Sequence, residues 1–338
     1  MKIFLMLSIL FFSFCSLNSE EVTDPIEKTT SESVVTDSSP KKWGYVYSNS
    51  FQKFPENYKK FILEDYDILC ITGLLFRGTG QLRFENEFIN KLQNAGISTN
   101  SEKPIIYPMV ALSSTKDGIQ LLTNENSRTK SIENLKSFLK RYGFKGVHLD
   151  FENIPIDYAS HLGEYLGELK KEINEDDIKL SFALFPQIDI PIQLRSFHKI
   201  ELIAPNVDEI VFMAYDYHNL KTEEGCVSDK SWAENNIIEI TKFISPSSLY
   251  LGIPSYGYEW YENSKRIAVI SAREAERFKQ TFPSERDESG CLKINKKKGK
   301  KVSKIYYSDK EFRKSLEELV GKYNLSGSAI WRLGLEEQ

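Results

Sequence analysis

The chain has 338 residues, 41% of them hydrophobic and 12% aromatic, which is enough apolar material for one large core or two smaller ones. With 44 Lys and Arg against 48 Asp and Glu the formal net charge is −4, so the overall balance excludes a strongly basic nucleic-acid binder. Four cysteines are too few for a disulfide scaffold, and no CxxC or Cys/His spacing marks a metal site. No metal and no other cofactor are expected.

The first stretch, MKIFLMLSILFFSFCSLNSE, has one Lys and then an apolar run that ends in small and polar residues. This is the pattern of a signal peptide (1–19), too short and one-sided for a membrane-spanning helix. No transmembrane span is expected in the mature chain, and the implied destination is the cell envelope or the medium. Cys15 offers a lipid anchor as the other reading, but the bulky Phe14 stands where a small residue is usual. Residues 20–42 are rich in Ser, Thr and charge and lack aromatics, so they read as a disordered tether. Without the leader three cysteines remain. Cys70, inside YDILCITGLLF, reads as a buried free thiol. Pairing of Cys226 with Cys291 stays open.

From Trp43 onward, apolar or β-branched runs alternate with segments of helical period. Candidate strands lie at 43–48, 66–76, 104–112, 146–152, 179–186, 209–217, 249–257 and 327–334. Between the third and fourth, Ile132, Leu135, Phe138, Leu139 and Tyr142 form one stripe, stopped by Gly143. Between the fourth and fifth, Leu162, Tyr165, Leu166, Leu169 and Ile173 form another, and a further helix is predicted at 309–323. Eight strands alternating with helices predict an α/β fold, a (β/α)8 TIM barrel over 43–338. A doubly wound open sheet is the rival. RGTGQ (77–81) gives it little support, lacking the third glycine and the opening helix of a dinucleotide site. The seventh interval is too long for one helix and predicts a small α+β insertion at 261–308. It holds the helix SAREAERFKQTF and a hairpin turned by KKKGKK (296–301). A solvated turn is the ordinary reading of that run, and a site for an anionic polymer is the functional one.

The stretch GVHLDFENI (146–154) raises a problem of buried charge. His148, Asp150 and Glu152 alternate with Val147, Leu149 and Phe151, so a strand would aim all three polar groups at one face. In a barrel, active sites gather at the C-terminal ends of strands, where Asp150 and Glu152 fall. Two carboxylates there must be paired or neutralised. Desolvation and mutual repulsion raise the pKa of at least one, which suits a general acid. The structural alternative is a satisfied polar layer inside the barrel.

KGVHLDFENI resembles the DGxDxDxE signature of glycoside hydrolase family 18, the chitinase-like barrels. FMAYDYH (212–218) resembles that family's MxYD strand, LGIPSYGYEW (251–260) its GxPxYGxxW strand, and GSAIWRLG (327–334) its last strand. The DFEN ending is closest to the spore-germination and cortex-lytic branch. The resemblance implies Glu152 as general acid/base, Asp150 polarising the substrate's N-acetyl group, and Tyr215 bonding that group's carbonyl. It further implies Asp216 tuning Asp150, Met213 lining the pocket and Trp331 flooring the sugar subsite, with Tyr256 and Trp260 as weaker sugar contacts. Lys145 and His148 replace the signature's first two aspartates. His148 is expected to partner Asp150 instead, adding a group that titrates near neutrality.

On this resemblance the chain is a secreted glycosidase cutting β-1,4 bonds after N-acetylglucosamine in peptidoglycan or chitin-type glycans. Its catalysis would be retaining and substrate-assisted. A non-catalytic amino-sugar lectin of the same fold is the alternative, and the intact Glu152 argues against it. A monomer is the default expectation.

Overall fold

The computed structural model describes residues 39–192, 197–262 and 266–337. The expected signal peptide and most of the tether lie outside them.

Seven long strands precede the insertion, with one short strand among them. They are β1 (Lys41–Tyr47), β2 (Ile68–Phe76), the two-residue β3 (Leu82–Arg83), β4 (Ile105–Leu112), β5 (Gly146–Asp150), β6 (Lys179–Leu184), β7 (Glu209–Met213) and β8 (Leu249–Pro254). Five strands follow in the insertion: β9 (Tyr256–Tyr261), β10 (Ile267–Ser271), β11 (Ser284–Arg286), β12 (Leu292–Lys298) and β13 (Lys301–Tyr307). The last strand is β14 (Gly327–Trp331). The long strands pair in parallel in the order β1-β2-β4-β5-β6-β7-β8-β14. Trp43 stands opposite Ile68 on one side and Ala329 on the other, so β1 joins β2 to β14 and the sheet closes. The fold is a (β/α)8 barrel, and the open-sheet rival is set aside.

Parallel strands covered on both faces read as near-continuous apolar runs, and β8 (LYLGIP) is buried at every position. Inside the barrel the filling is aromatic. Trp43 meets Tyr107, Tyr250 and His148 with ring centroids 5.1, 5.2 and 5.5 Å away. Outside, helices bury their stripes on the strands. Helix Glu125–Tyr142 is capped by the Asn124 side chain at its start and by left-handed Gly143 (φ 72°) at its end. Helix Ala159–Asn174 buries Leu162, Tyr165, Leu166, Leu169 and Ile173 completely. Helix Lys310–Lys322 begins on the Asp309 cap.

The insertion is an antiparallel sheet in the order β10-β9-β13-β12-β11, with helix Ala272–Lys279 packed on it. It begins at Tyr256 rather than 261. The expected strand 249–257 is two strands in two sheets, divided at Ser255. That residue's N–H donates to the Trp331 carbonyl at 2.8 Å and its hydroxyl to the Arg332 carbonyl at 2.7 Å. Burial of both strands hides such a bend, although Pro254 and Ser255 stand at it. Gly257 lets β9 cross close to β13: a Cβ there would lie 1.9 Å from the Tyr306 carbonyl oxygen. Cys226 and Cys291 form a disulfide that ties the loop after β7 to the insertion, and Cys70 is buried and free. Among the described residues no helix is long and apolar enough to cross a membrane.

Candidate active site

β5 stops at Asp150, so Glu152 stands just beyond the strand, two residues earlier than the expected end of the element. β7 likewise stops at Met213. Tyr215 and Asp216 follow in the loop, with Asp216 in the left-handed region (φ 61°), a conformation that Asp tolerates better than most side chains. These strand ends surround a small pocket of about 100 Å³ that is partly open to solvent. His148, Asp150, Glu152, Met213, Tyr215, Asp216 and Trp331 all line it. Three lining residues were missed by the sequence reading: Tyr45, Met109 and Ala183. The alternation Trp43, Tyr45, Tyr47 in β1 was the available signal for the first of these, since alternate residues of a barrel strand share its interior face.

Oδ1 of Asp150 is buried and has no hydrogen-bond partner among the described residues. A buried acceptor left unmet costs free energy, so the pocket favours an occupant that brings a donor. Burial raises the pKa of Asp150. Glu152 is raised further, by burial first, then by the neighbouring charge of Asp150, a hydrogen bond shared with it, and the charge of Asp216. The pair therefore holds a proton at pH values where free carboxyls have lost theirs, and Glu152 is the side that keeps it.

Asp216 was expected to tune Asp150. Its Oδ1 instead accepts from the hydroxyls of Tyr256 at 2.5 Å and Tyr258 at 2.7 Å, both on β9, and its charge acts on Glu152. Tyr256 does not line the pocket. It holds Asp216 and packs edge-on against Tyr215, ring centroids 6.4 Å apart. Trp260 is farther out on the insertion, packed between Tyr258 and Tyr306. Tyr215 is buried, and its hydroxyl is held well above the usual phenol range by burial and then by the Asp150 charge, so it remains a donor. Its ring lies nearly parallel to Trp331, at 18° with centroids 6.2 Å apart, and Trp331 in turn meets Tyr45 edge-on at 5.0 Å.

His148 does not partner Asp150. Nε2 bonds the Tyr45 hydroxyl and Nδ1 the Ser181 hydroxyl, each at 2.9 Å. Burial lowers its pKa to about 3, so it is a neutral interior group rather than one titrating near neutrality. The strand period puts it on the correct face but one step deeper, where hydroxyls meet both nitrogens. Across Glu152 a second depression opens, lined by Ser113, Ser114, Thr115 and Asn153 and sharing both carboxyls with the pocket. Among the described residues no cluster of His, Cys, Asp and Glu could hold a metal ion.

Residues 6–336 match Glycosyl hydrolases family 18. The chain belongs to that family. Proteins similar to it include the uncharacterized glycosylase YvbX of Bacillus subtilis (strain 168), 22% identical over 65% of this chain and 66% of the relative. The cortical fragment-lytic enzyme of the same organism is 20% identical over 64% of this chain and 52% of the relative. The family 18 chain thus spans between about half and two thirds of the curated relatives it matches. Among solved structures, a chitinase from Chromobacterium violaceum ATCC 12472 superposes with a TM-score of 0.76 at 16% identity, covering 89% of this chain and 96% of the other. The Bacillus cereus spore cortex-lytic enzyme SleL gives 0.75 at 16% identity, covering 88% and 72%. At such identities these structures show the barrel fold alone.

Proposed function

We propose that this family 18 protein is an extracytoplasmic glycosidase that cleaves β-1,4 bonds after N-acetylglucosamine, with peptidoglycan or its fragments as substrate and chitin-type oligomers as the other choice. The observation that carries the reading is the orphaned Asp150 oxygen in a small pocket beside Glu152, whose carboxyl is biased toward its protonated form by burial and by the Asp150 charge. An acetamido group fits that demand: its N–H is a donor for Asp150 Oδ1, and its carbonyl is an acceptor for the Tyr215 hydroxyl. Trp331 offers the apolar face on which a sugar ring stacks.

In the proposed reaction the acetamido oxygen attacks the anomeric carbon as the glycosidic C–O bond breaks. Glu152 gives its proton to the departing oxygen. The result is an oxazolinium ion, whose positive charge Asp150 offsets. Glu152, now a carboxylate, takes a proton from water as that water opens the ring, and the original configuration returns. A protonated Glu152 is the starting form this sequence needs, and the upward shift of its pKa supports the hydrolase over the sugar-binding reading. The peptidoglycan choice rests on the names of the cortex-lytic relatives.

The test is to incubate the protein and its Glu152→Gln variant with N-acetylglucosamine oligomers and with purified peptidoglycan, identifying products by mass. The proposal expects cleavage by the parent and a loss of roughly 10²-fold or more in the variant. Binding of both polymers without cleavage by either protein would make the chain a lectin.

A further inference from the structure

Five of the six residues at 296–301 are lysines. All but Lys296 lie at the tip of the β12–β13 hairpin, turned by left-handed Gly299 (φ 61°) and Lys300. The base of this hairpin is neutralised: Lys296 reaches Glu259 at 2.9 Å and Lys293 reaches Glu285 at 3.1 Å. The tip is not. Lys297, Lys298, Lys300 and Lys301 are exposed and form no ion pair with any described residue. Glu262 is exposed beside Val302 and pairs with none of them. The register makes this worse, because Lys298 stands directly opposite Lys301, and like charges facing across a strand pair are destabilising.

The tip also belongs to the sheet that holds Asp216 of the pocket. Tyr306 of β13 pairs with Tyr258 of β9, whose hydroxyl holds Asp216. Lys301 lies on the same strand as Tyr306, roughly 17 Å along it at the usual rise per residue. We propose that the hairpin tip is a docking surface for anionic groups carried along the same glycan strand whose sugar enters the pocket. The inference rests on the glycosidase reading and narrows its substrate to an acidic glycan, since a neutral polymer offers the lysines nothing. A bilayer is a poorer match, because 296–301 carries no apolar side chain to enter one. Lysines also guard exposed strand edges against pairing, and the test separates that use from docking.

The full chain is compared with a variant combining Lys297→Gln, Lys298→Gln, Lys300→Gln and Lys301→Gln, and with the matching Lys→Arg variant. Co-sedimentation is measured at low and high salt with insoluble peptidoglycan, the same material with its carboxyls amidated, chitin, and vesicles of anionic lipid. The expected result is roughly ten-fold weaker binding of the Gln variant to intact peptidoglycan at low salt. The Arg variant should match the parent, and chitin and amidated peptidoglycan should not distinguish the three proteins. Equal binding of parent and Gln variant to intact peptidoglycan overturns the proposal and leaves edge protection. An equal loss on chitin, or lysine-dependent binding to vesicles alone, overturns it too. Hydrolysis of N-acetylglucosamine oligomers is assayed in parallel. Its absence in the parent, with lysine-dependent sedimentation retained, would sink the glycosidase reading and not the docking surface.

Discussion

Asp150 and Glu152 are near neighbours whose environments hold them at different points of titration. Burial raises both, and the Asp150 charge and hydrogen bond add to the rise at Glu152. Activity that needs a protonated Glu152 should therefore persist above the usual carboxylate range and fall only as pH passes its raised pKa. In Asp150→Asn the neighbouring negative charge is gone, so Glu152 loses its proton at lower pH. The high-pH limb of kcat/KM should move down in pH, alongside a loss of kcat. A limb that stays in place, measured on N-acetylglucosamine oligomers, would show that Glu152 does not own it. This pair was legible in the sequence because its alternation on one strand has few cheap explanations. The role of His148 was not, because the alternating period names a face and not a depth. Only the fold shows that the Tyr45 and Ser181 hydroxyls meet both ring nitrogens first.

Among the elements, the insertion does more than decorate the barrel. Its first strand, β9, supplies Tyr256 and Tyr258 to Asp216, so the second sheet holds from behind a residue that lines the pocket. The disulfide between Cys226 and Cys291, 65 residues apart, fixes that sheet to the loop after β7. Replacing both with Ser should lower unfolding free energy by about 4 kcal/mol on the loop-entropy account, read by urea titration under oxidising conditions. It should reduce kcat as well if β9 loosens from Asp216. The helices Glu125–Tyr142, Ala159–Asn174, Ala272–Lys279 and Lys310–Lys322 and the lysine hairpin were readable from period and turn chemistry. The division at Ser255 was not, because two consecutive buried strands read as one. Nor was the disulfide, since pairing depends on two segments that only the tertiary fold brings together.

Across the whole molecule, eight parallel strands close on themselves and the two ends of the described chain meet. The Glu336 carboxylate accepts from the Tyr58 hydroxyl and from the Gly334 N–H, joining the last residues to helix Glu56–Asp65. Burial raises Glu336 to about 7. A carboxyl raised on folding favours the folded state while protonated, so its contribution is complete below about pH 4 and is lost as pH rises through 7. Melting temperature should therefore decline between pH 5 and 8, and Glu336→Gln should flatten that slope. An unchanged slope would place the titration elsewhere. The barrel was legible at this scale because strand and helix periods alternate along almost the entire chain. The chemistry of the pocket was less so, since Tyr45, Met109 and Ala183 come from strands with no motif of their own.

In the proposed reaction the substrate's acetamido oxygen is the nucleophile. The most direct measurement compares initial cleavage of an N-acetylglucosamine oligomer with that of its de-N-acetylated counterpart, following the anomer of the first product by proton NMR. The prediction is cleavage of the acetylated oligomer alone, with the β-anomer appearing first. Comparable cleavage of the de-N-acetylated chain, or the α-anomer as first product, would contradict it.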